Sequence, residues 1–188
     1  MSGKLKIPIV SWNCRGLGKL SKIKQVFSRI KQLQAKIVLL QETHMPACEV
    51  IKVRRRWQGQ VFSSSFSSQA RGVITLIHKS IPFHIVDVVS DPFGRYLILH
   101  GSILGEKLNL VNVYGPNNDD PQFFNNLFLT IANLQGKYII SGDFNCTLEP
   151  SKDRSSGFDN THVKSRETLC QFIKELDYWM FGDFYILL

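Results

Sequence analysis

The sequence lacks the features that place a protein in a membrane or in an oxidising compartment. It contains no apolar run of about 18 residues or more, which a membrane-spanning helix needs. Residues 1–8 carry two lysines and no long apolar segment, so no secretory signal is indicated. Its four cysteines include no C-x-x-C pair, which argues against a structural zinc site or a dense disulfide framework. We therefore expect a nuclear or cytoplasmic protein with reduced thiols and no membrane contact.

Acidic residues are scarce in the first third of the chain. Residues 1–60 hold 13 lysines and arginines against two acidic residues, a net +11, whereas residues 61–188 hold 10 against 13, a net −3. Cationic segments attract polyanions because neutralising phosphates releases condensed counterions. The lysine-bearing stretch 19–36 and the arginine run 54–56 are therefore predicted to contact a DNA backbone, with little base specificity. A solubilising helix surface is the alternative interpretation of the lysines.

The first third of the chain also has a regular order of elements. The β-branched run 7–12 ends in a polar turn, and the apolar positions of 21–34 recur at helical spacing. A second apolar run at 37–40 ends in polar residues as well. Strand, helix and strand in this order predict a βαβ-like opening.

Strand-like segments separated by turn residues dominate the middle of the chain. They lie at 72–78, 83–89, 95–101 and 107–114. Their spacing of roughly ten residues predicts an antiparallel meander. The serine-rich stretch 63–68 is predicted to be a surface loop. The remaining predicted elements are a helix over 121–135, a strand over 137–141 and a helix over 164–176. The chain is therefore predicted to be one α/β domain over 1–188, with two packed sheets and helices on the outer faces.

Polar side chains suited to phosphoryl chemistry follow four separate predicted strands. They are Asn13, Glu42, Tyr114 with Asn117, and Asp143 with Asn145. Taken singly, each has an ordinary structural explanation as a turn residue, a surface residue or the rim of the core. Taken together, they predict that the strand ends converge on a single cleft.

Four short strings contain these residues and occur in order along the chain. They are SWNCRG at 11–16, LLQETH at 39–44, NVYGPN at 112–117 and SGDFN at 141–145. As a set they resemble the endonuclease/exonuclease/phosphatase superfamily, and most closely the N-terminal endonuclease domain of non-LTR (LINE-type) retrotransposons. The resemblance runs from about residue 8 to about residue 177. It implies a DNase I-like, four-layered α/β sandwich in which helices flank two packed mixed sheets.

The resemblance also implies a metal site and a substrate site. Glu42 would ligate a divalent metal, Mg²⁺ or alternatively Mn²⁺, with Asn13 beside it, since these hard cations prefer oxygen ligands. Arg15 and Asn13 are substrate-binding candidates. His44 is expected near the metal, although a structural role is the commoner one for a loop histidine.

The other candidate residues would act on the phosphate and on the attacking water. Asp143 would position or deprotonate the water, and Asn145 would hold the water or the phosphate. Tyr114 and Asn117 would donate hydrogen bonds to the scissile phosphate, where charge grows in the transition state. The implied reaction nicks DNA and leaves a 3′-hydroxyl. In the full-length family the domain is fused to a reverse transcriptase, and a monomer is expected.

One part of the family pattern is absent from the sequence. The family carries an Asp-His pair in a Ser-Asp-His string, whereas no histidine follows His162 here. The apolar stretch 178–188 also departs from the family pattern. We therefore expect a fold that is incomplete at its C-terminus. Two alternatives to a nicking endonuclease follow: a catalytically impaired copy that retains at most nucleic-acid binding, and a phosphatase of the same superfamily.

Overall fold

Strands and helices alternate along the chain in a computed structural model that describes residues 6–148 and 162–175. The elements in these ranges are β1 (Ile9–Asn13), α1 (Leu20–Gln32), β2 (Ile37–Gln41), α2 (Ile51–Arg54), β3 (Gly59–Ser64), β4 (Val73–His78), β5 (Phe83–Ser90), β6 (Tyr96–Ile103), β7 (Glu106–Tyr114), α3 (Pro121–Ala132), β8 (Lys137–Asp143) and α4 (Val163–Glu175). None of the described helices has the length and apolar character of a membrane span. The predicted departure from the family pattern at 178–188 lies outside the described residues.

The strands form two four-stranded sheets, and both sheets are mixed. The first has the order β1-β2-β4-β3, in which β1 and β2 are parallel and the other pairs antiparallel. The second has the order β5-β6-β7-β8, in which β7 and β8 are the parallel pair. The parallel pairing of β1 and β2 around α1 confirms the predicted βαβ-like opening.

Three apolar clusters separate four layers. Ile37 and Leu39 of β2 point toward the second sheet and pack with Leu97, Leu99 and Leu110. The alternate residues of β2 face the other way, where the buried side of α1 covers them. On the far side of the second sheet, α3 and α4 cover β6 and β7. The order helix, sheet, sheet, helix confirms the predicted four-layered sandwich. Successive side chains of a strand point to opposite faces of its sheet, so one face packs on the other sheet and the opposite face packs on helices.

One prediction about the middle of the chain was wrong, and a second was right only in part. Strand β4 belongs to the first sheet, so the antiparallel meander contains only β5, β6 and β7. The connection after β4 crosses between the sheets and buries Ile81 and Phe83 in the core between them. Spacing and turn residues do not distinguish such a crossing from a hairpin, because both need the same polar turn.

The serine-rich stretch is only partly the predicted loop. Ser63 and Ser64 are the last residues of β3 and pair with β4. Ser64 is buried, and its hydroxyl donates a hydrogen bond to the Asp91 carbonyl at 2.5 Å. Sheet pairing and this bond outweigh the low strand propensity of a serine run.

Two buried amides connect the sheets at the centre of the sandwich. Gln41 in β2 and Asn112 in β7 are 1% and 0% exposed, and the Gln41 Nε2 donates to the Asn112 Oδ1 at 2.7 Å. The Asn112 Nδ2 in turn donates to the carbonyl oxygens of Leu40 and Ile74 in the first sheet, at 3.2 and 3.1 Å. We call this pair the amide clamp. A buried polar network of this kind favours one register between the two sheets.

Replacing Asn112 by leucine is expected to lower the free energy of unfolding by about 1–3 kcal/mol, because the Gln41 amide and the Leu40 and Ile74 carbonyls lose their buried hydrogen bonds to Asn112. Urea denaturation measures the change. Asn133→Ala is the matched control, since the Asn133 amide is exposed and bonds only within its own helix. It should cost less than about 1 kcal/mol. Equal unfolding midpoints for Asn112→Leu and the unmodified protein would contradict the clamp.

Candidate active site

The ends of four strands bring the candidate residues to one edge of the sandwich. The parallel strands β1 and β2 end side by side, with Asn13 opposite Gln41 in the register. In the second sheet Tyr114 is opposite Asp143 at the ends of β7 and β8. The structure therefore brings the strand ends together, and hydrogen bonds join the candidate residues within and between the sheets.

Asn13 and Asp143 form a direct bond between the two sheets. The Asn13 Nδ2 donates to the Asp143 Oδ2 at 2.6 Å. The Asn13 Oδ1 accepts the backbone N–H of Arg15 at 3.0 Å, which orients the amide. The second carboxylate oxygen, Asp143 Oδ1, accepts the backbone N–H of Asn145 at 3.0 Å. Both oxygens of Asp143 are thus held in defined positions.

Tyr114 and Glu42 form a second bond between the sheets. The Tyr114 hydroxyl donates to the Glu42 Oε1 at 2.6 Å, and the Asn117 Oδ1 lies 3.3 Å from the same hydroxyl. Burial, and then the hydrogen bond and charge of Glu42, raise the pKa of Tyr114 to about 12. The phenol is therefore a neutral hydrogen-bond donor at neutral pH.

Asn145 links the two bonded pairs. Its Nδ2 donates to the Asn117 Oδ1 at 2.9 Å and to the Gly115 carbonyl at 2.8 Å. Since Asn117 is also beside the Tyr114 hydroxyl, one chain of contacts runs from Asp143 to Glu42. The structure thus joins Asn13, Asp143, Asn145, Asn117, Tyr114 and Glu42 in one network. Their catalytic and binding roles stay predictions.

The backbone turns sharply where the strands end. Among the described residues, seven that are not glycine have a positive φ. Four of them follow β1, β2 or β8: Arg15, Glu42, His44 and Asn145, with φ between 48° and 50°. Such a conformation costs on the order of 1–3 kcal/mol for most residues and is common at functional sites. Here it ends each strand abruptly and lets the next side chains meet at the edge.

Two glycines let the ends of β7 and β8 approach closely. A Cβ atom at Gly115 would lie 2.1 Å from the Phe144 carbonyl oxygen, and one at Gly142 would lie 1.9 Å from that of Val113. Any side chain at either position would force the strand ends apart. The glycines of the NVYGPN and SGDFN strings thus position Tyr114 against Asp143.

A cleft of about 820 Å³ opens beside the Asn13–Asp143 pair. Of the sequence-predicted site residues, Asn13, Arg15, Asp143 and Asn145 line it. Glu42, Tyr114 and Asn117 are not among its lining residues, although they belong to the same hydrogen-bonded network, so the single cleft predicted from the sequence holds only part of the set. His44 lies beside Glu42, with its Nε2 4.0 Å from the Glu42 Oε2.

Sequence reasoning missed several residues that shape this site. Ser11 and His162 line the cleft and were not among the candidates. Lys22 also lines it and belongs to the stretch 19–36 that was predicted to contact DNA. Arg95 carried no signal, yet its Nη1 donates to the Gly115 carbonyl at 2.9 Å and its guanidinium lies 5.7 Å from the centre of the Tyr114 ring.

The oxygen donors of the site suit a hard divalent cation that keeps most of its waters. The described residues include no group of three or more His, Cys, Asp or Glu side chains able to hold a metal ion. Within the same ranges the Glu42 Oε2 accepts no hydrogen bond, and Asn13 on the neighbouring strand end supplies an amide oxygen. Mg²⁺ is commonly bound through one or two carboxylates together with substrate phosphates, whereas structural zinc needs four protein ligands. Glu42 and Asn13 therefore fit a magnesium-type site.

Sequence comparison finds a matching protein family and a transposon protein of similar sequence. The model of the "Endonuclease/Exonuclease/phosphatase family" matches residues 10–170. The "Transposon TX1 uncharacterized 149 kDa protein" of Xenopus laevis is 29% identical over 181 residues, which are 93% of this chain and 14% of that protein. The chain thus spans about a seventh of the length of this relative.

Solved structures share the fold at lower identity. An AP endonuclease from Archaeoglobus fulgidus superposes with a TM-score of 0.65 at 19% identity, covering 91% of this chain and 70% of that one. D. rerio TDP2 complexed with a single-strand DNA product superposes with a TM-score of 0.57 at 20% identity, covering 75% and 61%. At these identities the likeness is one of fold.

Stability at alkaline pH is expected to depend on Tyr114. Its pKa of about 12 exceeds the ordinary value of 10, so its stabilising effect is complete below about pH 10 and disappears between about pH 10 and 12. Between pH 9.5 and 11.5 the unmodified protein should lose about 1–3 kcal/mol more than Tyr114→Phe, as measured by urea unfolding.

Tyr138→Phe is the comparison for this measurement, because burial alone raises the pKa of Tyr138 and no carboxylate contributes. Tyr138→Phe should change the loss of stability at alkaline pH less than Tyr114→Phe does. If Tyr114→Phe and the unmodified protein lose stability in parallel, the Tyr114–Glu42 bond does not persist in solution.

Proposed function

This chain belongs to the endonuclease/exonuclease/phosphatase family, and from that premise we propose that it is a Mg²⁺-dependent endonuclease that nicks DNA. The observation that carries the proposal is the pair of bonds between the sheets, Asn13–Asp143 and Tyr114–Glu42, at one edge of the sandwich. These bonds join two carboxylates, a neutral phenol and several amides in one network, of which Asn13, Asp143 and Asn145 line the cleft. This is the donor set that hydrolysis of a phosphodiester needs.

The proposed reaction is an in-line attack of water on phosphorus. The oxygen of the water forms the new bond to phosphorus, the bond from phosphorus to the 3′-oxygen breaks, and the products are a 3′-hydroxyl and a 5′-phosphate. Asp143 accepts the proton of the water, and the leaving 3′-oxygen takes a proton from solvent. The bonds from Asn13 and from the Asn145 N–H keep the Asp143 carboxylate oriented for this transfer.

Glu42 and Asn13 are the residues that would hold Mg²⁺, which, when bound, supplies positive charge to the phosphate oxygens. Tyr114 remains protonated because its pKa is about 12, so its hydroxyl can turn from Glu42 to an incoming phosphate oxygen. The Asn145 Nδ2 donates to the Asn117 Oδ1, which orients the Asn117 amide so that its Nδ2 supplies a further donor. Arg15 on the cleft wall contributes a fixed positive charge.

DNA is the proposed substrate because of the charge on the cleft and the nature of the relatives. Lys22 of α1 and Arg15 both line the cleft, and the net charge of residues 1–60 is +11. Proteins of the same fold include an AP endonuclease and a TDP2 complexed with a single-strand DNA product, which is consistent with this substrate. The transposon relative supports a role in cutting the target site of a retroelement, where the 3′-hydroxyl serves as primer for a reverse transcriptase fused to the domain. We propose that the domain acts as a monomer.

Nicking of supercoiled plasmid in Mg²⁺ tests the proposed activity. Glu42→Gln and Asp143→Asn are each expected to slow nicking by about 10²- to 10⁴-fold, because a metal ligand or a proton acceptor is lost. EDTA should stop the reaction, and extension of the nick by a DNA polymerase should reveal the 3′-hydroxyl. Manganese in place of magnesium tests the choice of ion.

Glu106→Gln is the control, because Glu106 is an exposed carboxylate at the opposite end of β7 from Tyr114. Its nicking rate should be unchanged. DNA binding without any nicking would contradict the endonuclease and favour a protein that only binds nucleic acid. Release of inorganic phosphate from a phosphomonoester without nicking would favour a phosphatase.

The role of Lys22 can be measured through the salt dependence of DNA binding. Lys22→Gln should weaken binding to all sequences and reduce the slope of log affinity against log salt by about one, as expected when one phosphate contact is lost. Lys79→Gln is the control, since Lys79 is exposed and directly follows the last residue of β4. A slope that Lys22→Gln leaves unchanged would exclude a contact between Lys22 and phosphate.

A further inference from the structure

Two exposed phenylalanine rings and a half-buried arginine lie together on neighbouring loops. Phe66 and Phe93 are 47% and 58% exposed, and their ring centres are 6.5 Å apart. The guanidinium of Arg71 lies over the Phe66 ring, 4.7 Å from its centre. We call Phe66, Arg71 and Phe93 the aromatic–arginine patch. Rings of this size are usually buried, so a group of them on the surface points to a binding function.

The loops that carry the patch are fastened to each other. The Ser64 hydroxyl donates to the Asp91 carbonyl, and the Gly72 N–H donates to the Gly94 carbonyl at 3.0 Å. The loops are so close at Gly94 that a Cβ atom there would lie 2.9 Å from the Cβ of Phe66. The rings are therefore presented on an ordered framework, which lowers the entropy that a ligand would lose on binding them.

The same two loops border the candidate active site. The segment directly after Glu42 is bonded to the first loop, since the N–H groups of Thr43 and His44 donate to the carbonyls of Gly72 and Arg71 at 3.0 and 2.8 Å. The second loop leads into Arg95, whose carbonyl accepts the Tyr114 N–H at 2.6 Å. The patch is thus anchored to the backbone on both sides of the Tyr114–Glu42 bond.

The positive charge of the patch indicates which kind of ligand it would bind. Arg71 is close enough to Arg95 that its charge contributes to the lowered pKa of Arg95, after the effect of burial. The nearby Asp91 carboxylate is engaged by the Arg95 N–H at 2.8 Å. Exposed rings beside guanidinium groups suit nucleobases, which stack on both, and a phosphate backbone, which the cations attract. An apolar protein surface would instead have to desolvate the arginines without pairing them.

We propose that the aromatic–arginine patch is a nucleobase-binding subsite, which stacks on bases of the DNA strand whose scissile phosphate lies at the network of Glu42, Tyr114 and Asp143. The subsite rests on the proposed function, because that function places DNA in the cleft. A base can stack on a ring only if it partly unstacks from its neighbouring bases. The protein should therefore favour single strands, and duplex steps that unstack easily.

The test measures binding of a fluorescent oligonucleotide in EDTA, so that no cleavage occurs. The same sequence is offered as a single strand and as a duplex. Phe93→Ala is expected to weaken binding of the single strand about tenfold, in the range found when one stacked base loses its ring. Phe93→Tyr keeps a ring and should bind about as well as the unmodified protein. A single strand is also labelled with 2-aminopurine near the bound phosphate. The unmodified protein should quench the fluorescence of this base, and Phe93→Ala should quench it less.

Two further variants separate stacking from charge and from general loss of structure. Leu104→Ala removes another exposed apolar side chain, in the turn between β6 and β7 at the far end from Tyr114, and should leave binding unchanged. Arg71→Ala should reduce the salt dependence of binding, whereas Phe93→Ala should not, because a phenylalanine releases no counterions. Urea unfolding checks that each variant is folded, and Phe66→Ala repeats the test at the second ring.

The outcomes distinguish this subsite from the proposed nicking activity. If the protein nicks DNA, but Phe93→Ala and Phe66→Ala bind and nick as the unmodified protein does, the subsite is overturned and the endonuclease stands. If binding depends on the rings although nothing is nicked, the subsite is supported and the endonuclease is contradicted. Loss of affinity in Phe93→Tyr equal to that in Phe93→Ala would also overturn stacking. A protein that binds no DNA would overturn both proposals.

Discussion

The bond between the side-chain amides of Gln41 and Asn112 is the contact on which the geometry of the site depends. Gln41 directly precedes Glu42, and Asn112 lies two residues before Tyr114 on the same face of β7. A shift of either strand by one residue would turn these side chains to the opposite face of the sheet. It would also leave buried amides without partners, which is costly in an apolar core. The amide clamp therefore determines where Glu42 meets Tyr114.

The site itself combines a rigid framework with local backbone strain. Residues in left-handed conformations follow three of the strands, and glycines let β7 and β8 approach where their side chains meet. The large apolar clusters on both sides of each sheet stabilise this arrangement. As a result, polar groups from distant parts of the chain, such as Asn13 and Asp143, are held at hydrogen-bond distance before any substrate arrives. Preorganised donors of this kind are more effective than groups that must reorient during a reaction.

The division of charge along the chain has a spatial counterpart at the cleft. Basic side chains from the first third of the chain, Arg15 and Lys22, line the cleft together with the acidic Asp143 from the last third. The aromatic–arginine patch is anchored beside the same network through Arg71 and Arg95. Phosphate contacts and stacking are complementary, because the first attracts any backbone and the second responds to how easily the bases separate.

By itself, the sequence determined the α/β class, the βαβ opening and the residues at the four strand ends, because hydrophobic periodicity and short polar strings are local properties of the chain. It did not reveal that β4 joins the first sheet, that Ser63 and Ser64 are strand residues, or that Arg95 supports Tyr114. Those features arise from contacts between segments far apart in sequence, whose energies depend on what is buried against what. Only the tertiary structure decided that Gln41 bonds Asn112, and that Phe66, Arg71 and Phe93 gather on one surface beside the site. A contact that forms only when the two sheets pack cannot be predicted from a local sequence pattern.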